Sequence, residues 1–207
     1  MYRSGLRHAS GTGRQPGHHH RTAKPELSAA ARRDGSARPL AGAEAAADNA
    51  ARIIAAARTA GDLVVHIRHE FTGENAPFFE AGSEGAQIHP KVLNRPDERV
   101  IIKKYANSFR ETDLKQVLDA NGITEVVIVG SMSHMCIDAI TRAASDFGYK
   151  VTVVHDACAS RDLEFNGVRV PAAHVHAAFM AALGFAYATM CSTNDYVSSI
   201  GGKANAA

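Results

Sequence analysis

The chain has 207 residues, 45% of them apolar, and a formal net charge of +2. That length suits one domain with some excess, and so small a charge argues against a nucleic-acid partner. No run of 18 apolar residues and no signal-peptide core is recognisable, so neither membrane insertion nor export is expected.

Three cysteines, Cys136, Cys158 and Cys191, are odd in number and widely spaced. Without a C-x-x-C pair they suggest neither a zinc knuckle nor a disulfide framework, and they fit a reducing cytoplasm.

Residues 1–38 differ in kind from the rest. Eight basic residues (Arg3, Arg7, Arg14, Arg21, Lys24, Arg32, Arg33, Arg38) face two acids, Glu26 and Asp34, among Gly, Ser, Pro and His. No apolar periodicity runs through them, so the segment reads as a disordered basic tail. An Arg-rich transit peptide and translation in the wrong frame are the competing readings. His18, His19 and His20 read as a solvated run.

From Ala41 the chain becomes regular. Ala46, Ala50, Ile53, Ile54 and Ala57 mark one face of a helix ending near Gly61. Leu63 to Ile67 reads as a strand. His66 and His69 lie three apart there, which puts them on opposite faces and speaks against a shared metal. Residues 71–98 read as a long loop with Phe71, Phe78 and Phe79 embedded, either a lid over a pocket or, as is commoner for aromatics in a loop, a segment pinned to the body. Arg99 to Ile102 is a short strand leading into Lys103, and Leu114, Val117 and Leu118 predict a helix closed by Asn121-Gly122.

Val126 to Val129 is an uncharged apolar run bounded by Gly130, as expected of a strand buried on both faces. Cys136, Ile137, Ile140, Ala143, Ala144 and Phe147 follow at helical spacing, stopped by Gly148. Val151, Val153 and Val154 give the next strand, which completes a βαβ crossover. Cys136 therefore falls at the mouth of a helix beyond the carboxyl end of a strand, where backbone N–H groups favour a thiolate and can cradle an oxyanion. On position alone a small buried apolar cysteine is the competing reading. Pro171 opens a helix carrying Val175, Ala178, Phe179, Ala182 and Leu183. Ala188 to Val197 is expected to hold a last strand, and residues 198–207 a loose tail.

These residues resemble the isochorismatase-like cysteine hydrolase family, which includes nicotinamidases and N-carbamoyl amidases. The matching pieces are Arg99-Val-Ile-Ile-Lys103 with Phe109 and Thr112-Asp-Leu114, then Val129-Gly130-Ser-Met-Ser-His-Met-Cys136, Thr141-Arg-Ala-Ala, Gly148-Tyr-Lys-Val, Asp156-Ala157 and Val175-His176. The likeness runs from about Pro39 to Val197 and defines a hydrolase domain over 39–197.

The resemblance implies a three-layer α/β/α, Rossmann-like fold around a six-stranded, mainly parallel sheet. It implies an Asp-Lys-Cys triad in which Lys103 is the lysine and Cys136 the nucleophile. It also implies a cis peptide between Ser131 and Met132, with the N–H groups of Met132 and Cys136 as the oxyanion hole. Tyr105, Asn107, Phe109, His134 and Met135 would line the pocket. The expected reaction is cleavage of a C–N bond in a small amide through a thioester, without metal or cofactor, in a homo-oligomer. The family Asp closes a first strand at the centre of the sheet, and nothing before Pro39 matches it, so that strand is expected to be absent. The composition change near Arg38 reads as a frame change or wrong start upstream, with a genuine substituted tail as the alternative. A catalytically impaired member and a vinyl-ether hydrolase are the alternative functions.

Overall fold

The computed structural model describes residues 21–24, 40, 42–71 and 79–204, the side chains of 21–24 and 201–204 excepted. Six strands form one sheet: β1 (Arg21–Lys24), β2 (Leu63–His69), β3 (Arg99–Lys103), β4 (Ile123–Ser131), β5 (Lys150–Ala159) and β8 (Thr189–Cys191). Their order is β3-β2-β1-β4-β5-β8, every pairing parallel. The helices are α1 (Ala43–Thr59), α2 (Leu114–Ala120), α3 (Asp138–Asp146), α4 (Ala172–Ala186) and α5 (Thr193–Ala204).

β4 explains the layering. Its uncharged run is buried along its length, and alternate side chains serve opposite layers. Val126 and Ile128 join Leu114 and Leu118 of α2, Ile137 and Ile140 beside and within α3, and Met180 and Leu183 of α4. Val127 and Val129 join Ala50, Ile53 and Ile54 of α1, with Tyr196 of α5 packed against that cluster. The result is the three-layer α/β/α arrangement, with all strand carboxyl ends on one rim.

Three expectations need correction. The central position expected to be vacant holds β1, paired with β2 through Ala23 and Lys24 and with β4 through Arg21, Thr22 and Ala23. Four residues are too few to display an apolar period, and pairing is a backbone property. Residues 1–20 and 25–39, including His18 to His20 and Asp34, lie outside the described residues.

The chain end also differs. The last strand stops at Cys191, and α5 begins at Thr193 where a strand and then a loose tail are expected. Its start is a reciprocal cap. The Asp195 N–H donates to Ser192 Oγ at 3.1 Å, while Ser192 Oγ donates to Asp195 Oδ2 at 2.6 Å. Thr193 adds its N–H and hydroxyl to Asp156 Oδ1, at 2.8 and 2.7 Å, which fastens α5 to β5.

A two-stranded hairpin, β6 (Leu163–Phe165) and β7 (Val168–Val170), precedes α4 and was not foreseen. It turns on Asn166-Gly167, both at positive φ (51° and 76°), the geometry that this pair favours in tight hairpins.

The long loop of residues 71–98 is partly built into the body. It contains two single helical turns, Glu84–Ala86 and Pro90–Val92, and Ile88 and Val92 enter the core beneath α1. Its end is fixed by Glu98, which accepts from Arg58 Nε (2.7 Å) and Nη2 (2.8 Å), from Arg95 N–H (2.8 Å) and from His66 Nε2 (3.0 Å). The Arg58 hydrogen bonds, first among these, pull the Glu98 carboxyl down to about 2. Because the folded value lies below that of the unfolded chain, this contribution is present above about pH 4.5 and fades as pH falls toward 2. Glu98→Gln should lower stability at pH 7 by about 2 kcal/mol, a loss of roughly 5 °C in Tm. It should also flatten the acid limb of stability between about pH 4.5 and 2, as checked by thermal melts across that range.

Candidate functional site

The site is assembled at the carboxyl ends of β2, β3 and β4. β4 ends at Ser131, and the Ser131–Met132 peptide is cis. The chain then makes a wide turn over Ser133–Ile137 before entering α3. The Met132 carbonyl accepts from the N–H groups of Met135 (3.0 Å) and Ile137 (3.3 Å), the second an i→i+5 bond of π type. Cys136 lies inside this turn and is only 5% exposed.

Two serine–histidine contacts tie the turn to the rest of the site. Ser133 Oγ donates to Ala159 O at 3.1 Å and lies 2.8 Å from His176 Nδ1 on α4. Its single proton is committed to the carbonyl, so His176 must donate through Nδ1–H. His134 Nδ1 is hydrogen-bonded to Ser160 Oγ at 2.8 Å, and its ring meets Phe179 edge-on at 6.1 Å. Burial pushes both histidines below the usual imidazole value, so both are neutral near pH 7.

Lys103 ends β3 and is fully buried. Its ammonium donates to Ala106 O at 3.0 Å and Ser108 Oγ at 3.1 Å, so the loop after β3 wraps around it. In the β2–β3 register Lys103 stands beside His69. His69 in turn brings its Nδ1 to 3.9 Å from Cys136 Sγ. The two candidate catalytic residues, 33 positions apart in the chain, one ending β3 and the other in the turn after β4, thus both neighbour one imidazole.

His69 is 5% exposed. Its ring lies 5.3 Å from Phe79, stacked, and 4.6 Å from Phe71. Desolvation, with the Lys103 charge second, pulls it down to about 4. His66, on the other face of β2, is engaged with Glu98 instead. Spacing within β2 gave no signal for His69; the strand runs two residues past its expected end at Ile67, and so brings His69 level with Lys103 at the end of the neighbouring strand.

The expected pocket residues divide. His134 and Met135 lie on the Cys136 turn, Met135 with 45% exposure. Tyr105 and Asn107 belong to the loop around Lys103. The Arg110 guanidinium covers the Tyr105 ring at 3.7 Å, and Asn107 Oδ1 accepts from Phe109 N–H at 3.0 Å. Phe109 is not brought to the thiol. Its ring packs on Phe147 at 5.1 Å and Tyr149 at 6.2 Å, residues that lead into β5 at the opposite end of the sheet. An aromatic side chain near apolar surface is buried there for packing. Ser133, Ser160 and His176 complete the site, although their spacing gave no indication of it.

The isochorismatase domain model matches residues 32–194. The chain belongs to the isochorismatase family. A structure described as a putative isochorismatase hydrolase from Oleispira antarctica is 52% identical, covers 89% of this chain and 100% of its own, and superposes with a TM-score of 0.81. YddQ of Bacillus subtilis (strain 168), an uncharacterized isochorismatase family protein, is 46% identical over 134 residues, 65% of this chain and 74% of its own. A streptothricin hydrolase of Streptomyces noursei is 35% identical over 101 residues, 49% of this chain and 36% of that enzyme. Isochorismatase-family members are hydrolases, and among the described residues no helix is long and apolar enough to cross a membrane.

Proposed function

We propose that this isochorismatase-family chain hydrolyses a C–N bond of a small amide, with Cys136 as the nucleophile. The observation that carries the reading is the convergence, through His69, of a buried thiol at a helix-entry turn and a buried lysine. Cys136 Sγ attacks the amide carbonyl carbon, and the N–H groups of Met132 and Cys136 receive the developing oxyanion. The C–N bond breaks, and the proton lost by the thiol ends on the departing nitrogen as ammonia or an amine. Water then cleaves the thioester, releasing a carboxylic acid and restoring the thiol.

Lys103 supplies positive charge that favours the thiolate. His134, Met135, Tyr105 and Asn107 border the space left for the substrate, and no metal or cofactor takes part. A soluble cytoplasmic homo-oligomer is the form in which we expect the enzyme to work.

The test is a panel of small primary and N-carbamoyl amides assayed for ammonia, with mass spectrometry of the quenched protein. Ammonia release together with an acyl adduct on the Cys136 peptide is the expected result. Pyruvate release from isochorismate that survives alkylation of Cys136 would replace this reading with vinyl-ether hydrolysis. Normal alkylation of Cys136 with no turnover across the panel would mark a non-catalytic family member.

A further inference from the structure

His69 is a buried imidazole that the proposed reaction, as written, does not use. We propose that His69 is the hydrogen-bond donor to the Cys136 sulfur, holding the thiolate and its attacking orientation through Nδ1–H. The inference rests on Cys136 being the nucleophile, as proposed above.

Three observations carry it. Nδ1 lies 3.9 Å from the sulfur, within hydrogen-bond range for so large an acceptor. The ring is held in place, with Phe79 stacked against it and Phe71 tilted beside it, so it cannot swing away at little cost. It also ends β2 in register with the buried Lys103, whose charge acts on the ring, so the imidazole that reaches the sulfur is itself fixed beside a cation.

The chemistry of the ring decides between donor and base. Burial first and the Lys103 charge second oppose a second proton on His69, a backbone contact with Lys104 favours it more weakly, and the value falls to about 4. Moving the thiol proton onto this ring would work against the first two effects. A neutral imidazole still has one N–H to give, and a hydrogen bond to an anion is among the stronger kinds. Among the described residues, the charged groups next to the ring in the chain and the sheet are Lys103 on β3 and, just past β2, Glu70, which is ion-paired with Arg68 at 2.7 Å.

The experiment measures iodoacetamide alkylation of the Cys136 peptide against pH, resolved by mass spectrometry from Cys158 and Cys191. The wild type, His69→Ala and His69→Asn are compared, and asparagine can present its amide N–H near the position of Nδ1. In His69→Ala the thiol midpoint should rise by about one pH unit, so that about tenfold less thiolate is present well below it. His69→Asn should return most of that shift.

An unchanged or lowered midpoint in a His69→Ala protein with an intact circular dichroism spectrum would overturn the proposal. A merely structural role would lower Tm without moving the midpoint. If the alanine variant does not fold, nitrogen-15 spectra of histidine-labelled wild type decide instead. Protonation at Nδ1 with no imidazolium between pH 5 and 9 is expected, and protonation at Nε2 alone would refute the donor assignment. Failure of the nucleophile reading looks different: the Cys136 thiol of the wild type would then titrate as an ordinary thiol.

Discussion

A Cys136→Ala protein is expected to fold as the parent does and to release no ammonia from any amide that the parent hydrolyses. The substitution removes one buried sulfur from a turn whose shape is set elsewhere. The Met132 carbonyl bonds and the Ser133 contacts to Ala159 and His176 do not involve the thiol. The stability cost should be about 1 kcal/mol, visible as a small drop in Tm. The activity cost should be a factor of at least about 10³, because without the sulfur no thioester forms. Cys136→Ser should be nearly as inactive, since a hydroxyl at this position is far less ionised than a thiol. Parallel melts and ammonia assays check both halves, and a Cys136→Ala enzyme with a tenth of parental activity would remove Cys136 from the reaction.

Lys103→Met should be the next most severe lesion, with kcat/KM lowered by about 10²–10⁴. Methionine fills much of the same volume, and leaving Ala106 O and Ser108 Oγ without their donor should cost about 1–3 kcal/mol, against the roughly 5–15 kcal/mol that typically holds a domain. The fold should therefore survive. What is lost is the charge near the sulfur and the two hydrogen bonds to Ala106 O and Ser108 Oγ. Lys103→Arg should not rescue the enzyme, because the planar guanidinium cannot occupy a fully closed space shaped for a compact ammonium. Steady-state kinetics and the pH profile of Cys136 alkylation on both variants check this. In Lys103→Met the alkylation midpoint should move up.

The parts of the molecule that could be read from the sequence are those whose local pattern and tertiary role agree. β4 and β5 declare themselves because Val126 to Val129, and Val151, Val153 and Val154, are apolar side chains on both faces of their strands and are buried there. Cys136 and Lys103 could be placed on one rim because each follows a parallel strand. α5 was hidden, because Gly201 and Gly202 weaken its helical pattern and its cap, Ser192 with Asp195, lies inside a segment that resembles a strand. The place of His69 beside Cys136 was hidden for a different reason. Its relation to His66 along one strand can be counted, but its relation to Cys136 crosses two strands and a turn. Phe109 errs in the other direction. Its position after Lys103 suggests a pocket, and only the packing of Phe147 and Tyr149 shows that the loop carries it to the far end of the sheet.

The place of β1 between β2 and β4 bears on how the protein is made. β1 leaves the ribosome first, yet one of its two neighbours, β4, is about a hundred positions further along, so that pairing has a high sequence separation and should form slowly. Translation at about 5–20 residues per second leaves several seconds in which β1, β2 and β3 can pair while β4 is still to be made. During that interval the edge of β1 that β4 will cover is offered to any other extended chain, including a second nascent copy. Yield in a cell should therefore depend more on synthesis temperature and chaperone supply than the packing of the finished core would suggest.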